Sequence, residues 1–154
     1  MRETVRSHLD HGWASLGEAN YDDAIAHCTK AIALDPENPD AYRSRGLAYW
    51  RKGEIDHVIA DFDKAIALDP KVASAYTNRG NAYYQKGEVD RAIADHDVAI
   101  GLDPKLAQAY TNRGAAYEMK GNKFQAIADF RKALEIDPSN QSAKNILKEL
   151  GVTP

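Results

Sequence analysis

Four Asp-Pro dipeptides, Asp35-Pro36, Asp69-Pro70, Asp103-Pro104 and Asp137-Pro138, stand 34 residues apart. A fixed period of this size dictates a repeat architecture, because one short structural unit recurs and buries its apolar face only against its neighbours. Other residues keep the same frame. Glycines fall at Gly12, Gly46, Gly80 and Gly114, and alanines at Ala31, Ala65, Ala99 and Ala133. Tyrosines recur at Tyr42, Tyr76 and Tyr110, and again at Tyr49, Tyr83 and Tyr117.

Within each period the pattern predicts two short amphipathic helices. In the third unit, Ala75, Tyr76, Gly80 and Tyr83 recur every three to four residues, the spacing of one helix face. Gly87 follows Lys86 and reads as a left-handed helix stop. Val89, Ala92, Ile93, His96, Ala99 and Ile100 then form a second apolar stripe, which Pro104 ends. Gly53 and Gly121 mark the same internal turn in units two and four. No strand-like alternation and no linker occurs. A single all-α domain over 1–154 is therefore expected, with repeats 5–38, 39–72, 73–106 and 107–140 and a capping helix over 141–150. Gly46, Gly80 and Gly114 lie inside helices, where glycine costs roughly 1 kcal/mol relative to alanine. Close approach of the paired helix would compensate, with the alanine series expected opposite and the tyrosines filling the gaps.

Composition excludes several functions. Hydrophobic residues at 44% and charged residues at 28% suit a soluble globular chain. The net charge of −3 and the lack of a basic cluster argue against nucleic acid as a partner. One cysteine, Cys28, allows no internal disulfide. Met1–Leu16 carries charges throughout and has no apolar run, so neither a signal peptide nor membrane insertion is expected. The sequence holds no glycine-rich phosphate loop, paired Cys-x-x-Cys or nucleophile elbow. Its carboxylates at Asp22, Asp23, Glu54, Asp56, Glu88 and Asp90 read as solvated helix starts. No enzymatic activity and no cofactor are expected.

These residues resemble the tetratricopeptide repeat (TPR) family from Val5 to Asn140, with "AYTNRGAAY" and "QAIADFRKALEIDP" typical of bacterial members. Arg45, Arg79 and Arg113 replace the family's leucine before glycine, and Val58 replaces an alanine. Unit one departs furthest, with His8, His11, Ser15 and Cys28 at consensus positions. The resemblance implies a right-handed α-solenoid whose first helices line a concave surface. Carried over by position, the ligand wall would hold Arg43, Leu47, Trp50, Thr77, Asn78, Asn81, Tyr84, Thr111, Asn112 and Met119. Unit one would add Arg6, Leu9, Asp10, Trp13 and Leu16. Asn78 and Asn112 are one period apart, and their amides suit the backbone of an extended peptide. The carboxylate clamp of some family members is incomplete here, since Leu47 and Gln108 stand where it needs asparagine and lysine.

The function expected is a scaffold that binds a protein or peptide in the groove, in the bacterial cytoplasm, as a monomer or weak dimer. The rivals are a self-assembling scaffold and a targeting domain of a longer protein. Asp61, Asp95 and Asp129 share the period and are expected to pair with Arg45, Arg79 and Arg113 as exposed ion pairs of structural role. His8, His11, His27 and Cys28 offer a zinc or nickel ligand set in unit one. A degenerate repeat with half-buried polar residues accounts for them more simply, so no metal is expected.

Overall fold

In a computed structural model the described residues, 4–153, form nine α-helices and no strand. Met1–Glu3 and Pro154, included in the domain expected over 1–154, lie outside them. The helices are α1 (Val5–Gly17), α2 (Tyr21–Leu34), α3 (Pro39–Lys52), α4 (Ile55–Leu68), α5 (Ala73–Gln85), α6 (Val89–Leu102), α7 (Ala107–Met119), α8 (Lys123–Ile136) and α9 (Gln141–Glu149). They pair as four hairpins followed by a ninth helix. The chain divides into two compact units, Met1–Lys71 with α1–α4 and Val72–Pro154 with α5–α9.

The Asp-Pro signal works as a helix stop with a built-in cap. Each aspartate follows the last residue of α2, α4, α6 or α8, and its Oδ1 accepts the backbone N–H two residues on, at 3.0–3.2 Å. The short turn inside three hairpins runs through Gly53, Gly87 and Gly121 at φ +76°, +78° and +82°. Unit one has Ala19 at this register with φ +60°. A left-handed alanine costs roughly 1–2 kcal/mol, which makes this the least favourable of the four turns.

The helix glycines do face the partner helix closely, but the alanines are not what they face. A methyl group on Gly46 would lie 2.9 Å from the Phe62 ring, on Gly114 2.9 Å from the Phe130 ring, and on Gly80 2.9 Å from the His96 ring. On Gly12 it would lie 3.0 Å from the Cys28 sulfur. Residues 28, 62, 96 and 130 thus form a further period-34 series, and each lies close against a glycine. Ala31, Ala65, Ala99 and Ala133 are buried one turn further along.

The arginine series is also placed deeper than expected. Arg45, Arg79 and Arg113 each fork onto Asp61, Asp95 and Asp129 through two bonds of 2.7–2.9 Å. The aspartate side chains are only 6–8% exposed, so the pairs are not surface pairs. Each guanidinium sits 5.6–5.9 Å from the rings of two tyrosines, as Arg113 does between Tyr110 and Tyr117. An arginine replaces the family's leucine because its stem packs between rings while its head neutralises a buried carboxylate. Two helix-start aspartates are as solvated as expected and also hold lysines, Asp22 with Lys52 and Asp90 with Lys120, at 2.7 Å each. In α8 the same register holds Phe124, which is 84% exposed.

In the second unit, Ala143 and Leu147 of α9 are fully buried against Tyr110, Phe130 and Ala133, with Ile146, Leu150 and Val152 packed alongside. Lys148 and Glu149 remain exposed, while Lys144 is half-buried.

Candidate functional site

In the first unit α1 packs beside α3. Val5, Leu9 and Trp13, four residues apart, form one line along α1, because side chains at i and i+4 stack on one face. Trp13 is 51% exposed. It borders two cavities, one of about 490 Å3 lined also by Arg6, Leu9, Asn38 and Arg43, and one of about 300 Å3 lined by Leu16, Leu47 and Arg51. Arg43 is held by Asp40 three residues before it. Asn38 caps α3, its Oδ1 accepting from Asp40 N at 3.0 Å and Ala41 N at 3.3 Å. Trp50 is half-buried in the last turns of α3.

In the second unit the first helices carry amides instead. Asn112 Nδ2 donates to Asn81 Oδ1 at 2.8 Å, linking α7 to α5, and Gln108 Nε2 donates to Asn112 Oδ1 at 2.7 Å. Each amide in this row keeps spare capacity, since a carboxamide has two donor hydrogens and two lone pairs. Asn78, the expected partner of Asn112, is half-buried and takes no part in the row. Tyr84 is half-buried against Ala92, Ile93 and Ala116, while Met119 is 52% exposed.

Thr77 and Thr111, expected on the ligand wall, turn away from solvent. Both are buried, and their hydroxyls donate to the carbonyls of Ala73 and Ala107 one turn back, at 3.2 and 3.1 Å. Asn140 Nδ2 further donates to Thr111 Oγ1 at 2.9 Å. Sequence spacing put these residues on the correct helices but cannot show that a β-branched hydroxyl turns back onto its own backbone. Asn38 and Val5 were missed. Asn38 precedes Pro39, and that pair signals only a helix start.

The unit-one histidines do meet. His8 Nδ1 lies 3.3 Å from His27 Nδ1, and the His11 ring stacks on His27 with centroids 5.2 Å apart. Among the described residues no group of three or more His, Cys, Asp and Glu side chains is arranged to hold a metal ion. Cys28 lies behind them, fully buried, and burial pushes its thiol up to about 11. A thiol held protonated is a poor metal ligand and a poor nucleophile at neutral pH. His96 is fully buried with neither ring nitrogen hydrogen-bonded among the described residues, and burial, aided by the Arg113 charge, pulls it down to about 4. Among the described residues no helix is long and apolar enough to cross a membrane.

The model of the TPR repeat matches residues 18–53, 51–87 and 80–121, and that of the tetratricopeptide repeat matches 107–140. No curated protein matches the chain. Among solved structures it is similar to MamA, with 34% identity and a TM-score of 0.83 over 87% of this chain and 78% of that one. The Arabidopsis OM64 TPR domain gives 30% identity and a TM-score of 0.73 over 75% and 95%. The first TPR of Spaghetti (RPAP3), solved bound to the HSP90 peptide SRMEEVD, gives 28% identity and a TM-score of 0.73 over 76% and 93%. With matches running from residue 18 to residue 140 on an all-α solenoid of helical hairpins, the chain belongs to the tetratricopeptide repeat family.

Proposed function

We propose that the chain is a protein-interaction module whose first-helix faces hold a partner polypeptide, without catalysis of its own. The observation that carries this is the amide row Asn81–Asn112–Gln108, three neutral side chains held in place across two helices with donors and acceptors to spare. An extended polypeptide presents an N–H and a C=O at every residue, and such amides meet both without reading side-chain identity. Holding them in position beforehand lowers the ordering cost of binding. TPR relatives support the reading, since the Spaghetti repeat was solved with a peptide in place. The family is generally one of non-catalytic scaffolds.

A pull-down with mass spectrometry tests it by comparing the native chain with a variant carrying Arg43→Ala, Trp50→Ala, Asn78→Ala and Asn112→Ala. Circular dichroism checks that both are equally helical. Truncating a binding hot spot costs about 2 kcal/mol or more, a loss of roughly thirtyfold in affinity. A partner captured by the native chain and absent from the variant is the expected result. Equal capture by both would move the binding site off the first-helix faces.

A further inference from the structure

We propose that the α1–α3 face of the first unit takes an acidic amphipathic helix of a partner protein, with the helix's apolar edge against Trp13. This rests on the interaction-module reading above and names the chemistry of one ligand.

The face differs in kind from the amide row of the second unit. Its centre is the line Val5–Leu9–Trp13, continued by Leu16 and by Leu47 of α3, beside two adjoining cavities of about 490 and 300 Å3. From Val5 to Leu16 the strip runs about 17 Å, or three turns at 1.5 Å per residue. A three-turn apolar strip between two packed helices fits the ridge of a third helix carrying apolar residues at i, i+3 or i+4, and i+7.

Backbone satisfaction separates a helix from an extended chain here. An extended peptide needs partners for its own N–H and C=O groups. The cavity linings offer a single carboxamide, Asn38, and its oxygen already caps α3. A helix arrives with its backbone bonds closed and needs only apolar contact.

Charge decides the sign. Arg43 is neutralised by Asp40. Arg6 near the start of α1 and Arg51 near the end of α3 line the two cavities and make no ion pair within 4.0 Å among the described residues. Asp10 is the one other carboxylate in the linings. An apolar strip bracketed by arginines with no ion pair among the described residues is complementary to carboxylates flanking an apolar helix edge, and it disfavours lysine there.

Fluorescence anisotropy of labelled synthetic peptides against the full chain tests the proposal. The probe is a leucine-rich amphipathic helix of about five turns with glutamates flanking its apolar edge. Its controls are the same peptide with lysine for glutamate, and an acidic version interrupted by proline. The acidic helix is expected to bind saturably, and each control roughly tenfold more weakly or worse. Trp13→Ala should weaken the acidic helix by roughly tenfold or more, without hollowing the core, since this side chain is half-exposed. Arg6→Glu with Arg51→Glu should reverse the preference toward the lysine peptide.

Equal binding of the proline-interrupted peptide would overturn the helical ligand while leaving the interaction module standing. Binding that survives both sets of substitutions would place the ligand elsewhere and sink the proposal. No saturable binding of the acidic helix at concentrations on the order of 100 µM also rejects it. The pull-down then decides the module reading independently.

Discussion

His96 occupies a register that Phe62 and Phe130 fill in neighbouring repeats, with its ring close against Gly80. It fits by shape and fails by polarity. Neither ring nitrogen has a hydrogen-bond partner among the described residues, and a buried unsatisfied polar group costs roughly 1–3 kcal/mol. Its folded-state value near 4 lies below the ordinary 6.5 of an unfolded histidine. The unfolded chain therefore binds the extra proton between those values, and stability falls as pH drops from 6.5 toward 4. The contribution is fully present above pH 6.5, and its loss across the window is on the order of 3 kcal/mol. Urea denaturation at pH 7 and pH 4.5 measures that slope. His96→Phe should raise stability at pH 7 by about 1 kcal/mol or more and flatten the acid side, since other groups alone then titrate. A variant as acid-sensitive as the native chain would show that His96 is not the group responsible.

At the scale of elements, one repeated device holds the hairpins α3–α4, α5–α6 and α7–α8. The first helix supplies an arginine, the second a buried aspartate, and two tyrosines of the first helix flank the guanidinium. In α7 and α8, Asp129 holds Arg113 more firmly protonated than a free arginine, and Asp97 adds a further bond at 2.7 Å. Removing the cation alone leaves a carboxylate only 7% exposed with its charge uncompensated. Arg113→Leu should therefore destabilise the second unit by roughly 2–4 kcal/mol, discounted for the one-fifth exposure of Arg113. Arg113→Leu with Asp129→Leu should recover most of that loss, because a buried pair can often be replaced by apolar side chains. Thermal unfolding of the single and double variants decides it. A double variant no better than the single would mean that the rings and stem, not the charges, hold the hairpin.

For the whole molecule, each compact unit offers a first-helix face, and the two differ in chemistry. The first presents tryptophan, aliphatics and arginines, while the second presents carboxamides and Tyr84. In the second unit, α9 buries Ala143 and Leu147 and turns Lys148 and Glu149 to solvent. A helix with a polar outer face opposes stacking of a further copy upon it. Light scattering across a concentration series should accordingly return the mass of one chain throughout. A mass that climbs with concentration would favour the self-assembling alternative, and Phe124 would be the first side chain to substitute.

The period of 34 was legible from sequence, and with it the hairpins, the stops at Asp-Pro and the glycine turns, because these depend on φ restrictions and local spacing. The pairing of Arg45, Arg79 and Arg113 with their aspartates was legible for the same reason, since both series share one register. Depth and direction were not. Sequence offered small residues opposite the helix glycines, where the packed hairpin instead lays Phe62, His96 and Phe130. It put Thr77 and Thr111 on the ligand wall, whereas both are buried and their hydroxyls fold back onto their own helices. It grouped three histidines and a cysteine, and packing stacked two of the rings. Register along a helix follows from covalent geometry and 3.6 residues per turn. Which atoms of a side chain meet a neighbour depends on rotamers chosen only when the second helix arrives, and tertiary packing alone makes that choice.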